Sequence, residues 1–421
     1  MRVKSQQGGN SSTSSYRAIC QRCRSIARED RYQATCPRCG GNLDFEYSLK
    51  RERERLPDDS MWRYRAVLPV RPESEAVTLG EGCTPLQKSR SKSRCDIYLK
   101  NECLNPTGSH KDRALSIGLT KAREFGYGTV MLYSDGSAAL SSAAYAAQAQ
   151  CRNITVMPSD TPDFRAVPLA FYNSIILRYQ GPNAEALAWV NSACRTLGLF
   201  ETTTYRRANP FQQEGPKTIG LEIFEQLGRV PDWIAVPLGG GGTLAGIWRA
   251  FVDLKSTGEA MQLPRMVGVL PDGYARLALA LERGIRSRED LEALEVPAAP
   301  TTIQVKIAMT NPPDGIEALE AIRESHGQLL FATDPETVEA QRALGGREGI
   351  YAEASAAAAW VGVEKLIAAN AVGEGETVVA VITGSGFREV QTASDFARLS
   401  IVTVTPADGL STVERILRMG S

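Results

Sequence analysis

The chain has 421 residues, of which 43% are hydrophobic and 23% are charged, as is ordinary for a globular protein. Its 48 Lys and Arg residues balance its 48 Asp and Glu residues, which argues against a polyanionic partner such as nucleic acid. No apolar run is long enough for a membrane span and the N-terminus is polar, so the sequence predicts neither a membrane partner nor secretion. Nine cysteines, an odd number, favour the reducing cytoplasm over a disulfide framework.

The first 45 residues fall into two parts. Residues 1–16 are rich in Ser, Gly, Gln and Asn, which predicts a disordered lead-in. Residues 17–45 carry two CxxC motifs, formed by Cys20, Cys23, Cys36 and Cys39. Four thiolates at this spacing are typical of a tetrahedral Zn²⁺ site in a zinc ribbon, and they leave no open coordination position, so the metal would be structural. The alternative is a module that has kept its cysteines and lost its metal.

From residue 96 onwards, short apolar runs alternate with amphipathic segments. The predicted strands are 96–100, 129–133, 153–157, 174–178, 233–237, 266–270 and 378–382. The predicted helices are 114–125, 137–149, 183–196, 214–227, 243–254, 315–323, 335–345 and 353–368. This alternation predicts an α/β fold of open, mostly parallel sheets with helices on both faces. Ligands in such folds lie beyond the carboxyl ends of strands, so the loops that follow strands are the candidate site.

The loop 105–113 follows the strand 96–100 and places Lys111 at the start of a helix. A cationic amine is disfavoured at a helix N-terminus, so the neutral form of Lys111 gains relative to the charged form. A neutral amine is nucleophilic and condenses with aldehydes. Taken alone, the same residues also fit a surface loop with a solvated lysine.

Two further loops offer an anion site each. Backbone N–H groups at a helix start, unobstructed by side chains, form a phosphate cradle in the loop of Gly239, Gly240, Gly241, Gly242 and Thr243. The spacing fits neither the dinucleotide fingerprint nor the P-loop, and a flexible linker is the alternative. Hydroxyl and N–H groups that suit a substrate carboxylate lie in the loop of Ser134, Asp135, Gly136 and Ser137. The alternative there is ordinary N-capping.

The last of these loops contains Thr383, whose hydroxyl could hydrogen-bond a neutral ring nitrogen, although alone it is only a turn. Together the loops offer a lysine, a phosphate cradle, a carboxylate site and a hydroxyl. Those are the groups needed to bind pyridoxal 5′-phosphate together with a small-molecule amino-acid substrate.

The sequence resembles the fold type II pyridoxal-phosphate enzymes, and within them the threonine synthase family. The matching segments are 80–86, 105–113, 209–218, 238–243, 347–353 and 383–386. The resemblance implies two open, mostly parallel sheets and an N-terminal zinc ribbon. It implies a large cofactor-binding domain (46–112 with 206–421), a small mobile domain (113–205) and a homodimer.

The resemblance also implies an activity: γ-elimination of phosphate from O-phosphohomoserine followed by β-addition of water, giving threonine. Lys111 would hold the cofactor as a Schiff base and then move protons. The 239–243 loop would hold the cofactor phosphate, Thr383 would contact the pyridine nitrogen, and Asn209 matches a position near the substrate phosphate.

Three departures from the family pattern bear on the substrate. His110 stands where the family usually has Phe, and Ser137 stands where an Asn lies beside the cofactor. Residues 158–165 lack the lysines expected around a phosphorylated substrate. A related lyase that performs β-elimination or β-replacement on serine, phosphoserine or threonine-type substrates is therefore one alternative. A non-catalytic zinc-ribbon protein that uses the cofactor fold for binding is another.

Overall fold

The computed structural model of the protein describes residues 16–47 and 58–390, with the isolated residues 401, 404, 413 and 415. The predicted lead-in lies outside the described residues, except for Tyr16, which already belongs to the first strand.

The described chain alternates strands and helices as the sequence predicts. The strands are β1 (Tyr16–Cys20), β2 (Leu43–Tyr47), β3 (Leu86–Lys88), β4 (Asp96–Asn101), β5 (Thr129–Tyr133), β6 (Arg152–Pro158), β7 (Ile175–Tyr179), β8 (Phe200–Glu201), β9 (Trp233–Pro237), β10 (Arg265–Pro271), β11 (Gln328–Ala332) and β12 (Thr377–Ile382). The α-helices are α1 (Lys111–Glu124), α2 (Ser137–Gln148), α3 (Asp163–Phe171), α4 (Asn183–Leu197), α5 (Lys217–Leu227), α6 (Gly242–Ser256), α7 (Arg276–Glu282), α8 (Arg288–Ala293), α9 (Gly315–Glu324), α10 (Asp334–Ala343) and α11 (Ala354–Ala368). Short 3-10 helices span Met61–Val67, Glu102–Leu104, Phe211–Glu214 and Gly386–Arg388, and a π-helical turn spans Leu344–Glu348.

Two open sheets form the body of the molecule, which confirms the predicted fold class. The larger sheet has the order β11-β10-β9-β12-β4-β3 and is parallel except for β3. The smaller sheet has the order β7-β6-β5-β8 and is parallel throughout. Every residue of β9 and β12 is buried, because helices cover both faces of the larger sheet.

All seven predicted strands are present, but the sequence missed the strands with weak patterns. β3 and β8 contain only three and two residues, too few to show a period. β11 is an edge strand of the larger sheet, and four of its five residues are only partly buried. The sequence also missed three helices. Helices α7 and α8 contain only seven and six residues, and α3 exposes most of its residues and contains Pro168, which disrupts a helical pattern.

The N-terminal module consists of β1 and β2, which pair antiparallel, and of the loop between them. Its aromatic side chains pack on the α/β body, where the ring of Phe45 lies 5.0 Å from that of Phe211. The backbone around Asp44 is held by Arg206 and Arg249 of the body. The module is therefore joined to the body by a shared core and by charged contacts. The division of the body into a large and a small mobile domain stays a prediction.

Candidate active site

Lys111 is the first residue of α1, as the sequence predicts, and a tight loop leads into it. The loop is closed by Asp112, whose carboxylate accepts hydrogen bonds from the backbone N–H and the hydroxyl of Thr107, at 2.7 and 2.5 Å. Gly108 has φ +81°, and a Cβ there would lie 3.1 Å from Cδ of Arg388. The positive φ therefore favours glycine, and any larger residue would also crowd the Arg388 side chain.

The pKa of Lys111 is lowered mainly by burial, while the negative charge of Asp314 acts in the opposite direction. The sequence predicted the same direction from the helix dipole, but burial is the larger cause in the structure. Among the described residues, the Lys111 amine has no hydrogen-bond partner and no ion pair. It is thus available to react with a ligand.

The four-glycine loop lies between β9 and α6, and packing leaves no room for a Cβ at three of its glycines, Gly239, Gly241 and Gly242. A Cβ at Gly241 would lie 2.2 Å from the backbone oxygen of Asp314, and one at Gly242 would lie 2.1 Å from Oε1 of Gln213. Gly241 also has φ +102° and provides no side-chain cap for α6. The N–H groups of the first turn therefore have neither an intrahelical nor a side-chain acceptor, which suits a phosphate.

His110 connects three of the predicted loops. Its Nδ1 lies 3.0 Å from the backbone oxygen of Thr383, and its Nε2 lies 3.1 Å from Oγ1 of Thr243. A carbonyl oxygen only accepts, so Nδ1 carries the proton and Nε2 accepts from the Thr243 hydroxyl. Burial and the neighbouring charge of Lys111 lower the pKa of His110 to about 3, so the imidazole is neutral at physiological pH. One neutral side chain thereby fixes the lysine loop against the glycine loop and the end of β12.

Thr383 is buried at the end of β12, and its backbone carbonyl also accepts from the N–H of His110 at 3.0 Å. Its side-chain hydroxyl makes no hydrogen bond with any described residue, so it can serve a ring nitrogen. The neighbouring residues Ser109 and Gly384 form an isolated antiparallel β-bridge. The predicted hydroxyl and the lysine loop are therefore neighbours.

The serine loop 134–137 precedes α2. The Ser134 hydroxyl accepts from the N–H of Gly136 at 3.2 Å, and the carboxylate of Asp135 pairs with Arg165 at 2.7 Å. The Ser137 hydroxyl accepts from Nη2 of Arg388 at 2.7 Å. Helix α2 has no side-chain cap, so ordinary N-capping does not explain the serines.

Basic side chains around the serine loop are the site residues that the sequence did not reveal. Nζ of Lys306 lies 2.7 Å from the position of a Cβ at Gly136, and Arg165 and Arg388 contact the loop directly. Lys306 belongs to an irregular segment between α8 and α9, which carries no periodic pattern. The available signal was Arg388, which lies two residues after the predicted Thr383–Gly386 loop.

Asn209 is fully buried just before the 3-10 helix Phe211–Glu214. Its side-chain amide donates to the backbone oxygen of Glu201 at 2.8 Å, and its side-chain oxygen has no partner. The free atom is therefore an acceptor, which suits a ligand N–H or O–H better than a fully ionised phosphate. The predicted role at the substrate phosphate stays a prediction.

The four cysteines of the N-terminal module lie together. Their sulfur atoms are all within 4.8 Å of one another, with 3.4 Å between Cys20 and Cys39 and 3.7 Å between Cys23 and Cys36. Zinc–sulfur bonds of about 2.3 Å in a tetrahedron place the sulfurs roughly 3.8 Å apart. A Cβ at Gly41 would lie 3.0 Å from the Cys20 sulfur, so the turn requires glycine. The donor set fits Zn²⁺.

Comparisons with known proteins agree with this geometry. A family described as pyridoxal-phosphate dependent enzyme matches residues 77–384. The chain is 35% identical over 391 residues to threonine synthase of Methanosarcina acetivorans, covering 90% of this chain and 94% of the relative. It is 34% identical over 360 residues to threonine synthase of Halalkalibacterium halodurans, covering 83% and 94%.

Solved structures with the same fold include O-ureido-L-serine synthase and threonine deaminase isoform 2 of Solanum lycopersicum. Each has a TM-score of 0.62 and 21% identity, and each alignment covers 75% of this chain. The alignments cover 94% of the former chain and 84% of the latter. In the described part of this chain, no helix is both long enough and apolar enough to cross a membrane.

Proposed function

We propose that this chain, which belongs to the pyridoxal-phosphate dependent enzymes and within them to the threonine synthase family, converts O-phosphohomoserine to threonine. The observation that carries the proposal is the junction at His110, which brings Lys111, the glycine loop and Thr383 into one site. Relatives named threonine synthase are 35% and 34% identical over most of the chain.

The residues present fit pyridoxal 5′-phosphate. Lys111 would bind its aldehyde, Gly239–Gly242 and the N-terminus of α6 would hold its phosphate, and the Thr383 hydroxyl would meet its ring nitrogen. The Thr243 hydroxyl already donates to His110, so towards the phosphate it acts through its backbone N–H. When bound, the cofactor supplies an electron sink for carbanion chemistry at the substrate amino acid.

The chain's own groups account for binding and proton transfer. The lowered pKa of Lys111 favours the neutral amine, which can accept the proton at the substrate Cα and return it at other carbons. The serine loop and the N-terminus of α2 would hold the substrate carboxylate through Ser134, Gly136 and Ser137. His110 stays neutral beside Lys111. It therefore adds no positive charge that would disfavour protonation of the cofactor's ring nitrogen.

We further propose that Cys20, Cys23, Cys36 and Cys39 bind one structural Zn²⁺ ion. Four thiolates around the ion leave no position for a substrate, so the metal stabilises the module and takes no part in the reaction. A homodimeric, cytoplasmic enzyme without nucleic-acid or membrane partners remains the expectation from the sequence.

The test is turnover of O-phosphohomoserine by the cofactor-loaded enzyme, with free phosphate and threonine both measured. Equal amounts of the two products are expected, and Lys111→Ala should abolish both. Arg195→Gln, on the exposed face of α4, is the control with expected wild-type turnover. If serine, phosphoserine or threonine is instead consumed to a keto acid while O-phosphohomoserine is not, the enzyme is a related lyase. No turnover of any of these by the loaded enzyme would indicate a binding protein.

A further inference from the structure

We propose that Arg388 is a substrate-binding residue whose guanidinium group binds the α-carboxylate of the amino-acid substrate. This inference rests on the proposed function only in requiring an amino-acid ligand at the cofactor. It adds a cationic anchor to the carboxylate site predicted at the serine loop.

Arg388 lies between the two loops that would hold the cofactor and the substrate. It ends the 3-10 helix Gly386–Arg388, which follows β12 and the Thr383 turn. Its Nη2 donates to Oγ of Ser137 at 2.7 Å, and its Cδ packs against Gly108 of the lysine loop. The guanidinium group is thus fixed at the start of α2, beside the loop that carries Lys111.

The hydrogen-bonding capacity of Arg388 is largely unused. Its Nε and Nη1 atoms are buried and have no hydrogen-bond partner. The positive charge of Arg388 partly offsets the rise that burial causes in the pKa of Glu353. Among the described residues, however, no hydrogen bond or ion pair joins these two side chains. Buried N–H groups of a charged side chain are costly to leave unpaired, so an acceptor from a ligand is the natural partner.

The neighbouring cations differ from Arg388 because both form ion pairs, although Nε of Arg165 also has no hydrogen-bond partner. Arg165 is paired with Asp135 at 2.7 Å and with Glu389 at 3.0 Å. Lys306 is paired with the same Glu389 at 2.7 Å. Those two cations are neutralised by carboxylates of the protein. The charge of Arg388 is left for an incoming anion.

A carboxylate is the anion that this place favours. Helix α2 contributes N–H groups and the positive end of its dipole on one side, and Arg388 contributes charged N–H groups on the other. The hydroxyl of Ser137 holds the guanidinium group at the helix start. A phosphate group has the same acceptor chemistry, so the experiment has to distinguish the two anions.

The experiment compares L-threonine with L-threoninamide, which lacks the carboxylate charge, as ligands of the cofactor-loaded enzyme. Binding is followed by the change in cofactor absorbance and needs no turnover, so it is independent of whether O-phosphohomoserine is the substrate. Arg388→Gln should weaken L-threonine binding about 10- to 100-fold, as expected for loss of a charged hydrogen-bonding partner. Binding of L-threoninamide and of the cofactor itself should change less than about threefold.

Arg388→Lys should recover part of the L-threonine affinity, because it keeps the charge with a shorter reach, and Arg195→Gln should match the wild type. Equal weakening of both ligands by Arg388→Gln would overturn the proposal, as would unchanged L-threonine affinity. Weaker competition by inorganic phosphate with L-threonine affinity unchanged would assign Arg388 to a phosphate instead. If Arg388→Gln does not fold, the ratio of acid to amide affinity in Arg388→Lys decides, and an unchanged ratio contradicts the proposal.

Discussion

His110 illustrates how one side chain organises this site. Its two ring nitrogens bond to groups from different elements, the carbonyl of Thr383 and the hydroxyl of Thr243. The sequence marked His110 only as a departure from the family's Phe. Its two partners lie 133 and 273 positions away in the chain, so no local pattern could have shown this role.

His110→Phe should therefore weaken cofactor binding without removing Lys111. Two neutral hydrogen bonds are lost, each contributing about 0.5–1.5 kcal/mol, so cofactor affinity is expected to fall roughly tenfold. The measurement is titration of the apoprotein with the cofactor, followed by absorbance. Thr243→Val removes only one of the two bonds and should have a smaller effect. Tighter cofactor binding by His110→Phe would contradict the proposed role.

Asp314 gives the site a pH dependence. It is buried beside the glycine loop, accepts a hydrogen bond from the backbone N–H of Arg206 at 2.9 Å, and is influenced by Lys111, Glu317 and Arg288. Burial raises its pKa to about 7, with Glu317 acting in the same direction. The folded protein thus holds the Asp314 proton more tightly than the unfolded chain. The Asp314 contribution to stability should fall as pH rises from about 4 to about 7.

Asp314→Asn should remove that loss, because the amide oxygen can still accept from Arg206 and no charge develops. Thermal unfolding of the apoprotein at pH 5 and pH 8 provides the comparison. The variant is expected to unfold at a higher temperature than the wild type at both pH values, with the larger difference at pH 8. A variant that is less stable than the wild type only at pH 8 would show that the ionised carboxylate is stabilising.

At the scale of elements, the N-terminal module supports the segment that carries Asn209. The Arg206 guanidinium donates to the backbone oxygen of Leu43 at 3.1 Å, and the Tyr47 hydroxyl donates to Glu214 at 2.9 Å. Phe45 packs against Phe211 in the same segment. The two CxxC motifs predicted the metal site, but nothing in the sequence indicated which part of the body the module would contact.

Cys36→Ala should unfold the module first, because the binding energy of a structural zinc ion is folding energy. Limited proteolysis is expected to cleave within residues 16–47 while the cofactor-binding body still resists. Turnover should fall less than the folded fraction of the module, since the module contacts the 206–214 segment and the end of α1 that is far from Lys111. Cys151→Ala, which leaves the four-cysteine cluster intact, is the control. Full loss of turnover with a protease-resistant module would contradict this order.

The elements themselves were largely predictable. Buried parallel strands such as β9 and β12 are continuous apolar runs, and the long helices between them show clear periodicity. Edge strands and exposed helices were missed, since their side chains face water on one side and their patterns are weak. The loops that follow strands were recognised from glycine and hydroxyl residues. The cations Lys306 and Arg165 were not, because they reach the serine loop from distant segments.

At the scale of the whole molecule, a buried ion network ties the lysine helix to the larger sheet. Arg113 is fully buried and bonds Glu102 at 2.7 Å and Glu222 at 2.6 Å, and Glu222 also binds Lys100 at 2.6 Å. The network connects β4, the 3-10 helix after it, α1 and α5. It fixes the start of α1, where Lys111 lies two residues before Arg113.

Glu222→Gln should destabilise the protein strongly. Removing one partner leaves buried cations uncompensated, which costs about 3–5 kcal/mol. Chemical denaturation of the apoprotein measures the change. Glu225→Gln is the matched control, about one helical turn away on α5. Its ion pair with Arg63 is partly exposed and should contribute at most about 1 kcal/mol. Similar losses in the two variants would show that the buried network is not decisive.

The central claim, threonine formation by loss of phosphate and addition of water, is tested most directly by turnover of O-phosphohomoserine in ¹⁸O-labelled water. Elimination breaks the carbon–oxygen bond, so the released phosphate should contain no label, and the added water should place one labelled oxygen in the threonine hydroxyl. Labelled phosphate together with homoserine would mean hydrolysis at phosphorus and would contradict the account.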